Sequence, residues 1–247
     1  MNSNFIQIDI SRQKMIRTLV SSIIIFLFAI LIWLQQDLEY KLLIEHNFVY
    51  QNPNIYQFFR FFTKYGMSII MLLYSLTVFK SVNHDELASN RSMFFLIIIC
   101  FATGGIFGDL LKEIIDRSRP VIELGDKILN TDISETSAFP SGHSTKSMAL
   151  ALPFVLMASN KSLFNKIIKA LVLFIGLMVC YSRIALQKHY LSDVLGGIAI
   201  AMFFVIISIW IVNFAYKRMK LDSDKQMMMN KRLRLLFIGF AIILSMM

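Results

Sequence analysis

Residues 182–216 read SRIALQKHYLSDVLGGIAIAMFFVIISIWIVNFAY, a polar stretch with two cations and a histidine that runs directly into an apolar segment. From Ser192 to Tyr216 the only charged residue is Asp193, next to the start. A helix over that segment is long enough to cross a hydrocarbon core of about 30 Å at 1.5 Å per residue. The rest of the chain shares this character. Of its 247 residues, 56% are hydrophobic and 17% charged, more apolar than the roughly half and one quarter of soluble domains. We therefore expect an all-α fold: a polytopic membrane helix bundle forming one domain over 1–247.

Apolar length places six transmembrane helices at residues 16–35, 61–79, 93–111, 142–158, 167–186 and 192–216. Lys64 falls inside the second and must snorkel toward the surface. The first run ends in Trp33-Leu34-Gln35-Gln36 without a small-residue cleavage site, so it reads as a retained span. Residues 217–247 form a basic tail whose apolar part, 233–247, reaches about 22 Å as a helix. We expect a short interfacial helix there, held by Arg232 and Arg234, with a seventh span as the alternative.

Six spans put both termini on one side. Basic residues gather at the N-terminus (Arg12, Lys14, Arg17), in the second and fourth connections (Lys80, Arg91, Lys161, Lys166) and in the tail, with few acids among them. Basic loops stay in the cytoplasm, so both termini are assigned there. The net charge of +9 thus reports topology; scattered between spans, it makes no nucleic-acid-binding patch, and no nucleic-acid partner is expected. Cys100 and Cys180 each lie in an apolar run, read as buried, with neither disulfide nor zinc-ligand spacing.

Three polar clusters flank the spans: Lys112-Glu-Ile-Ile-Asp-Arg-Ser-Arg119-Pro120 after the third, Pro140-Ser141-Gly142-His143 opening the fourth, and Ser182-Arg183, His189 and Asp193 between the fifth and sixth. The third and fifth spans end outside and the fourth and sixth begin there, so one shared outer site is geometrically allowed. Lys112, Arg119 and Arg183 offer a point charge and two guanidinium forks suited to a phosphate dianion. Ser141 and Gly142 open a helix whose amides and dipole favour an anion. Phosphoryl transfer also needs an attacking group and an acid for the leaving oxygen. His189 and His143 fill those roles, through a phosphohistidine that water hydrolyses, and Asp193, four residues on, can hold one ring nitrogen of His189 if the sixth helix begins that early.

These clusters resemble the signature of the type 2 phosphatidic acid phosphatase superfamily, K-x6-R-P, P-S-G-H and S-R-x5-H-x3-D, met at every position over the core 112–193. The resemblance implies His189 as nucleophile, Asp193 as its orienting partner and His143 as general acid. Lys112, Arg119, Ser141, Gly142 and Arg183 are implied as phosphate ligands. It also implies six helices, and no metal or other cofactor. The expected activity is release of phosphate from a lipid monoester or diphosphate, of the phosphatidylglycerophosphate, phosphatidic acid, undecaprenyl diphosphate or lipid A type. The lipid and the membrane are the expected partners, the setting a bacterial plasma membrane with the site on its outer side. A lipid phosphotransferase using the same phosphohistidine is the first alternative, a non-catalytic anionic-lipid binder the second. Outside the motifs, Asp109, Glu113 and Asp116 read as local partners of Lys112, Arg117 as solvated, and His46 and His84 as ordinary loop residues. Gly104-Gly105, Gly108 and Gly196-Gly197 read as close helix packing.

Overall fold

A computed structural model of the chain describes residues 8–80, 84–131, 137–157, 162–218, 235, 239–240 and 242–244. Among these the regular structure is helical: α1 (Arg12–Leu34), α2 (Gln36–Glu45), α3 (Asn47–Gln51), α4 (Pro53–Lys80), α5 (His84–Ile115), α6 (Pro120–Leu124), a 3-10 turn (Gly125–Lys127), α7 (Gly142–Met157), α8 (Leu163–Ala185) and α9 (Leu191–Arg218).

Each predicted span closely overlaps a helix, and among the described residues four stretches are apolar and long enough to cross a membrane: Arg12–Leu34, Ser92–Lys127, Leu163–Ala185 and Leu191–Ala215. The other two helices that carry predicted spans are α4 and α7. α4 begins at Pro53, ahead of the expected start at 61, and so takes in Arg60 as well as Lys64. Its start is built by Asn52, whose side chain accepts the amides of Asn54 (3.1 Å) and Ile55 (3.4 Å), with Pro53 in the first turn. α7 has 16 residues, about 24 Å at 1.5 Å per residue, and lies at the centre, packed against α4, α5, α8 and α9.

Its central place explains the polar residues of α7. Ser144, Thr145 and Ser147 are buried, and each is satisfied inside the bundle. Thr145 donates to the Ser141 carbonyl (3.1 Å) and Ser147 to the carbonyls of Ser144 (3.2 Å) and Gly176 (3.4 Å). Met148, Ala149 and Leu152 meet one apolar cluster, shared with α5, α8 and α9; Leu150, Ala151 and Phe154 meet another, shared with α4, α5 and α8. The outer helices present exposed apolar side chains, among them Ile24, Leu31, Ile106, Ile114 and Trp210, as a lipid-facing surface requires.

α1 packs on α9 through small residues: the Ser22 hydroxyl donates to the Ala199 carbonyl (2.8 Å), and Ala29 is fully buried. At the other chain end, Ile8 exchanges two backbone hydrogen bonds with the Asn213 side chain (2.9 and 3.0 Å), so the start of the chain and the end of α9 share one end of the bundle. Cys100 and Cys180 are buried, as expected. Of the tail, the ring of Phe240 meets Phe101 near the middle of α5, and Leu244 is buried in the cluster around α4; most of 233–247 lies outside the described residues.

Candidate active site

α8 stops at Ala185, and the turn beyond it fixes the spacing between Arg183 and His189. Gln187 adopts the left-handed conformation (φ 50°). The Gln187 amide donates to the Ile184 carbonyl (2.8 Å) and the Lys188 amide to that of Arg183 (3.0 Å), the pairing of a Schellman cap. The Arg183 carbonyl also accepts the His189 amide (3.2 Å). The strained Gln187 is held by its neighbours: its Oε1 accepts the amides of Leu129 and Asn130 (both 3.0 Å) and its Nε2 donates to the Leu43 carbonyl (2.9 Å) and to Asn47 (2.8 Å). One buried glutamine thus ties the outer segments to the turn carrying His189.

α9 starts two residues after His189, early enough for Asp193 to reach back. Asp193 Oδ2 accepts the Tyr190 amide (2.9 Å), closing the first turn, and lies 3.4 Å from His189 Nδ1, outside hydrogen-bond geometry. Such contacts are often loose before substrate binds. The Asp193 carbonyl accepts the Ser141 amide (3.0 Å), joining the second motif to the third. Ser141 is fully buried, and its hydroxyl accepts the Ser144 amide (3.4 Å) and hydroxyl (3.0 Å) as the cap of α7. The first amides of that helix, at Gly142 and His143, have no acceptor within it.

Two glycines let α9 come this close. A Cβ on Gly197 would stand 2.8 Å from the Ser141 carbonyl, and one on Gly196 would strike the Phe139 ring at 2.5 Å. Lys112 crosses the start of α7, its Nζ 3.3 Å from where a Gly142 Cβ would be, and 3.6 Å from Asp109. Arg119, just before α6, donates to the Lys188 carbonyl (3.3 Å). The charges of Lys112, Arg119 and Arg183 all act on His189, and those of Arg183 and Lys112 act on His143, which also interacts with His189. The three motifs and both imidazoles therefore form one site. Burial, then the cations, hold the His189 imidazole well below the usual histidine range, with the Ala138 carbonyl opposing them. Its resting state is neutral.

Arg117 is a correction. Expected in solvent, it is buried at 7% exposure, between the rings of Tyr190 (4.0 Å) and Trp33 (4.6 Å). One guanidinium nitrogen donates to Asp193 Oδ1 and Ser192 Oγ (both 2.6 Å), the other to Glu39 Oε2 (2.7 Å). Glu39 Oε1 accepts the Ser192 amide (2.8 Å), so it caps α9 as well. Glu39, 1% exposed, comes from α2, in a connection that carries no motif. Its one legible signal is a carboxylate at helical spacing from Gln35 in an otherwise ordinary segment. Nearby, Glu123 Oε2 accepts the hydroxyls of Tyr40 (2.6 Å) and Tyr190 (2.7 Å), and that bond helps push Tyr40 up to about 12. His46 also has more structure than expected, bonding the Leu42 carbonyl (2.7 Å) and Tyr181 hydroxyl (2.9 Å). His84 lies where side chains are not described. Among the described residues, no three His, Cys, Asp or Glu side chains are placed to share a metal ion.

The sequence profile of the PAP2 superfamily matches residues 93–217, just over half of the chain. Phosphatidylglycerophosphatase B of Bacillus subtilis (strain 168) is 30% identical over 112 residues, an alignment that covers 43% of this chain and 52% of that protein. The chain thus spans about half the length of that relative. The fold is similar to the crystal structure of a transmembrane PAP2 type phosphatidylglycerolphosphate phosphatase from Bacillus subtilis, with TM-score 0.57 and 21% identity, covering 82% of this chain and 98% of that one. The long apolar helices make the chain an integral membrane protein. With its motifs gathered in one site and its central segment matched to the family profile, the chain belongs to the PAP2 superfamily.

Proposed function

We propose that the protein removes phosphate from a membrane lipid at the outer face of a bacterial plasma membrane, through a phosphohistidine on His189. The observation that carries this reading is the convergence of Lys112, Arg119 and Arg183 on a buried, neutral imidazole. In the proposed reaction, His189 Nε2 attacks phosphorus while Asp193 supports Nδ1, and the bond from phosphorus to the lipid oxygen breaks. His143 gives that oxygen its proton. A water then loses a proton to His143, attacks phosphorus and breaks the phosphorus–nitrogen bond, returning both histidines to their starting state. Lys112, Arg119, Arg183 and the first amides of α7 neutralise charge on the transferring group.

Six spans, α1, α4, α5, α7, α8 and α9, with cytoplasmic termini fit this reading. The basic loops favour that orientation, and the shared end of Ile8 and Asn213 supports an even number. Phosphatidylglycerophosphate is the leading substrate, because the aligned Bacillus relative is named for it. Purified protein in lipid nanodiscs should release phosphate from this lipid in excess chelator and, after a rapid quench, carry an acid-labile, alkali-stable phosphoryl group. In His189→Ala we expect turnover to fall by about a thousandfold or more and the phosphoryl adduct to vanish. Full turnover in that variant would sink the mechanism.

A further inference from the structure

α5 and α7 pack along a seam of glycines, each helix carrying one lysine across it. Lys112 of α5 lies over Gly142 of α7, while Cε of Lys146 on α7 passes 3.7 Å from where a Gly105 Cβ of α5 would stand. Gly104 and Gly108 meet Thr145 and Pro140 in the same seam. Gly142 and Lys146 are four residues apart, hence on one face of α7, about 6 Å apart along its axis. Lys146 therefore belongs one helical turn deeper toward the bilayer than the site at Lys112. It is close enough to interact electrostatically with both His143 and Lys112, and its Nζ stands 6.0 Å from the Phe101 ring. Among the described residues no carboxylate is ion-paired with it. A partly buried cation at this depth, beside another lysine and with no anionic partner among the described residues, is placed to meet an anion that a ligand supplies.

We propose that Lys146 binds a second anionic group of the substrate, a phosphodiester on the bilayer side of the phosphate that is cleaved. This rests on the lipid phosphatase reading and narrows its substrate class. In a lipid with its scissile phosphate among Lys112, Arg119 and Arg183, the remainder of the headgroup descends toward the tails, along the seam. Two phosphorus atoms joined through glycerol are separated by six bonds of about 1.5 Å, so they can span one helical turn. Directly linked phosphates are separated by two such bonds, about 3 Å at most, which leaves both beside Lys112. The seam thus selects a glycerol-bridged pair of phosphates over a monophosphate or a diphosphate.

The test is phosphate release by the full-length protein and by Lys146→Gln and Lys146→Arg, each on phosphatidylglycerophosphate, phosphatidic acid and a polyprenyl diphosphate in matched vesicles. In Lys146→Gln, kcat/KM on phosphatidylglycerophosphate should fall about tenfold further than on phosphatidic acid, chiefly through KM, as expected for one lost charged contact. Lys146→Arg should recover most of that loss, and turnover of phosphatidic acid reports whether each variant is folded. Equal losses on all three lipids, or the largest loss on the diphosphate, overturn the second-anion site and leave the phosphatase reading standing. No release from any lipid by the native protein overturns both.

Discussion

Arg117 shows how much one side chain can organise. It binds Asp193 and Glu39 at 2.6 and 2.7 Å between two aromatic faces, and through Asp193 it bears on His189 without reaching the reacting atoms itself. In the proposed reaction it is a positioning residue. Arg117→Ala leaves two buried carboxylates without their cation, and we expect it to destabilise the protein by about 3–5 kcal/mol, read as a lowered unfolding midpoint in detergent. Arg117→Lys keeps the charge but loses the fork and the stacking plane. Its kcat should fall at least about tenfold while KM changes little, because the proposed phosphate ligands are other residues. A KM effect without a kcat effect would instead make Arg117 a substrate ligand. Glu123 plays a similar organising part farther out, collecting Tyr40 and Tyr190 on one oxygen.

At the scale of elements, the site depends on how closely α9 approaches the start of α7. Gly197 faces backbone: a methyl there meets the Ser141 carbonyl at 2.8 Å and Ser144 Cβ and Thr145 Oγ1 at 3.0 Å. None of these is the loose end of a long side chain, so Gly197→Ala must push the helices apart, at a cost of about 1–3 kcal/mol, and should move Ser141 away from Asp193. Gly104→Ala meets Thr145 Cγ2 at 3.5 Å, an ordinary contact, and should change stability by less than about 1 kcal/mol. Unfolding midpoints and phosphate release for the two variants side by side check this; equal behaviour would mean that α9 is not tightly seated on α7. The same logic explains why the turn after α8 uses Gln187, whose left-handed backbone is kept in place by four side-chain hydrogen bonds.

For the whole molecule, the orientation of the bundle decides which face of the membrane the site serves. Asp126 in the 3-10 turn and Gln13 at the start of α1 are both exposed, and the native cysteines are buried. With the proposed topology, Asp126→Cys should react with an impermeant maleimide in intact cells and Gln13→Cys only after permeabilisation; the reverse pattern would put the site in the cytoplasm. Much of this molecule was legible in its sequence. In hydrocarbon a chain must satisfy its backbone internally, so long apolar runs become helices wherever they occur, and the six runs mark six helices of the structure. The motif residues are equally plain, because cations and imidazoles in this order flank the apolar runs, and the structure brings them together. Burial of Arg117 and its pairing with Glu39, 78 residues away, were decided by the tertiary structure alone, as were the central place of α7 and the meeting of Lys146 with Gly105. The physical reason is that lipid is as apolar as a helix neighbour, so hydropathy marks where a helix lies but not which of its faces turns inward, and pairs across the bundle depend on that choice.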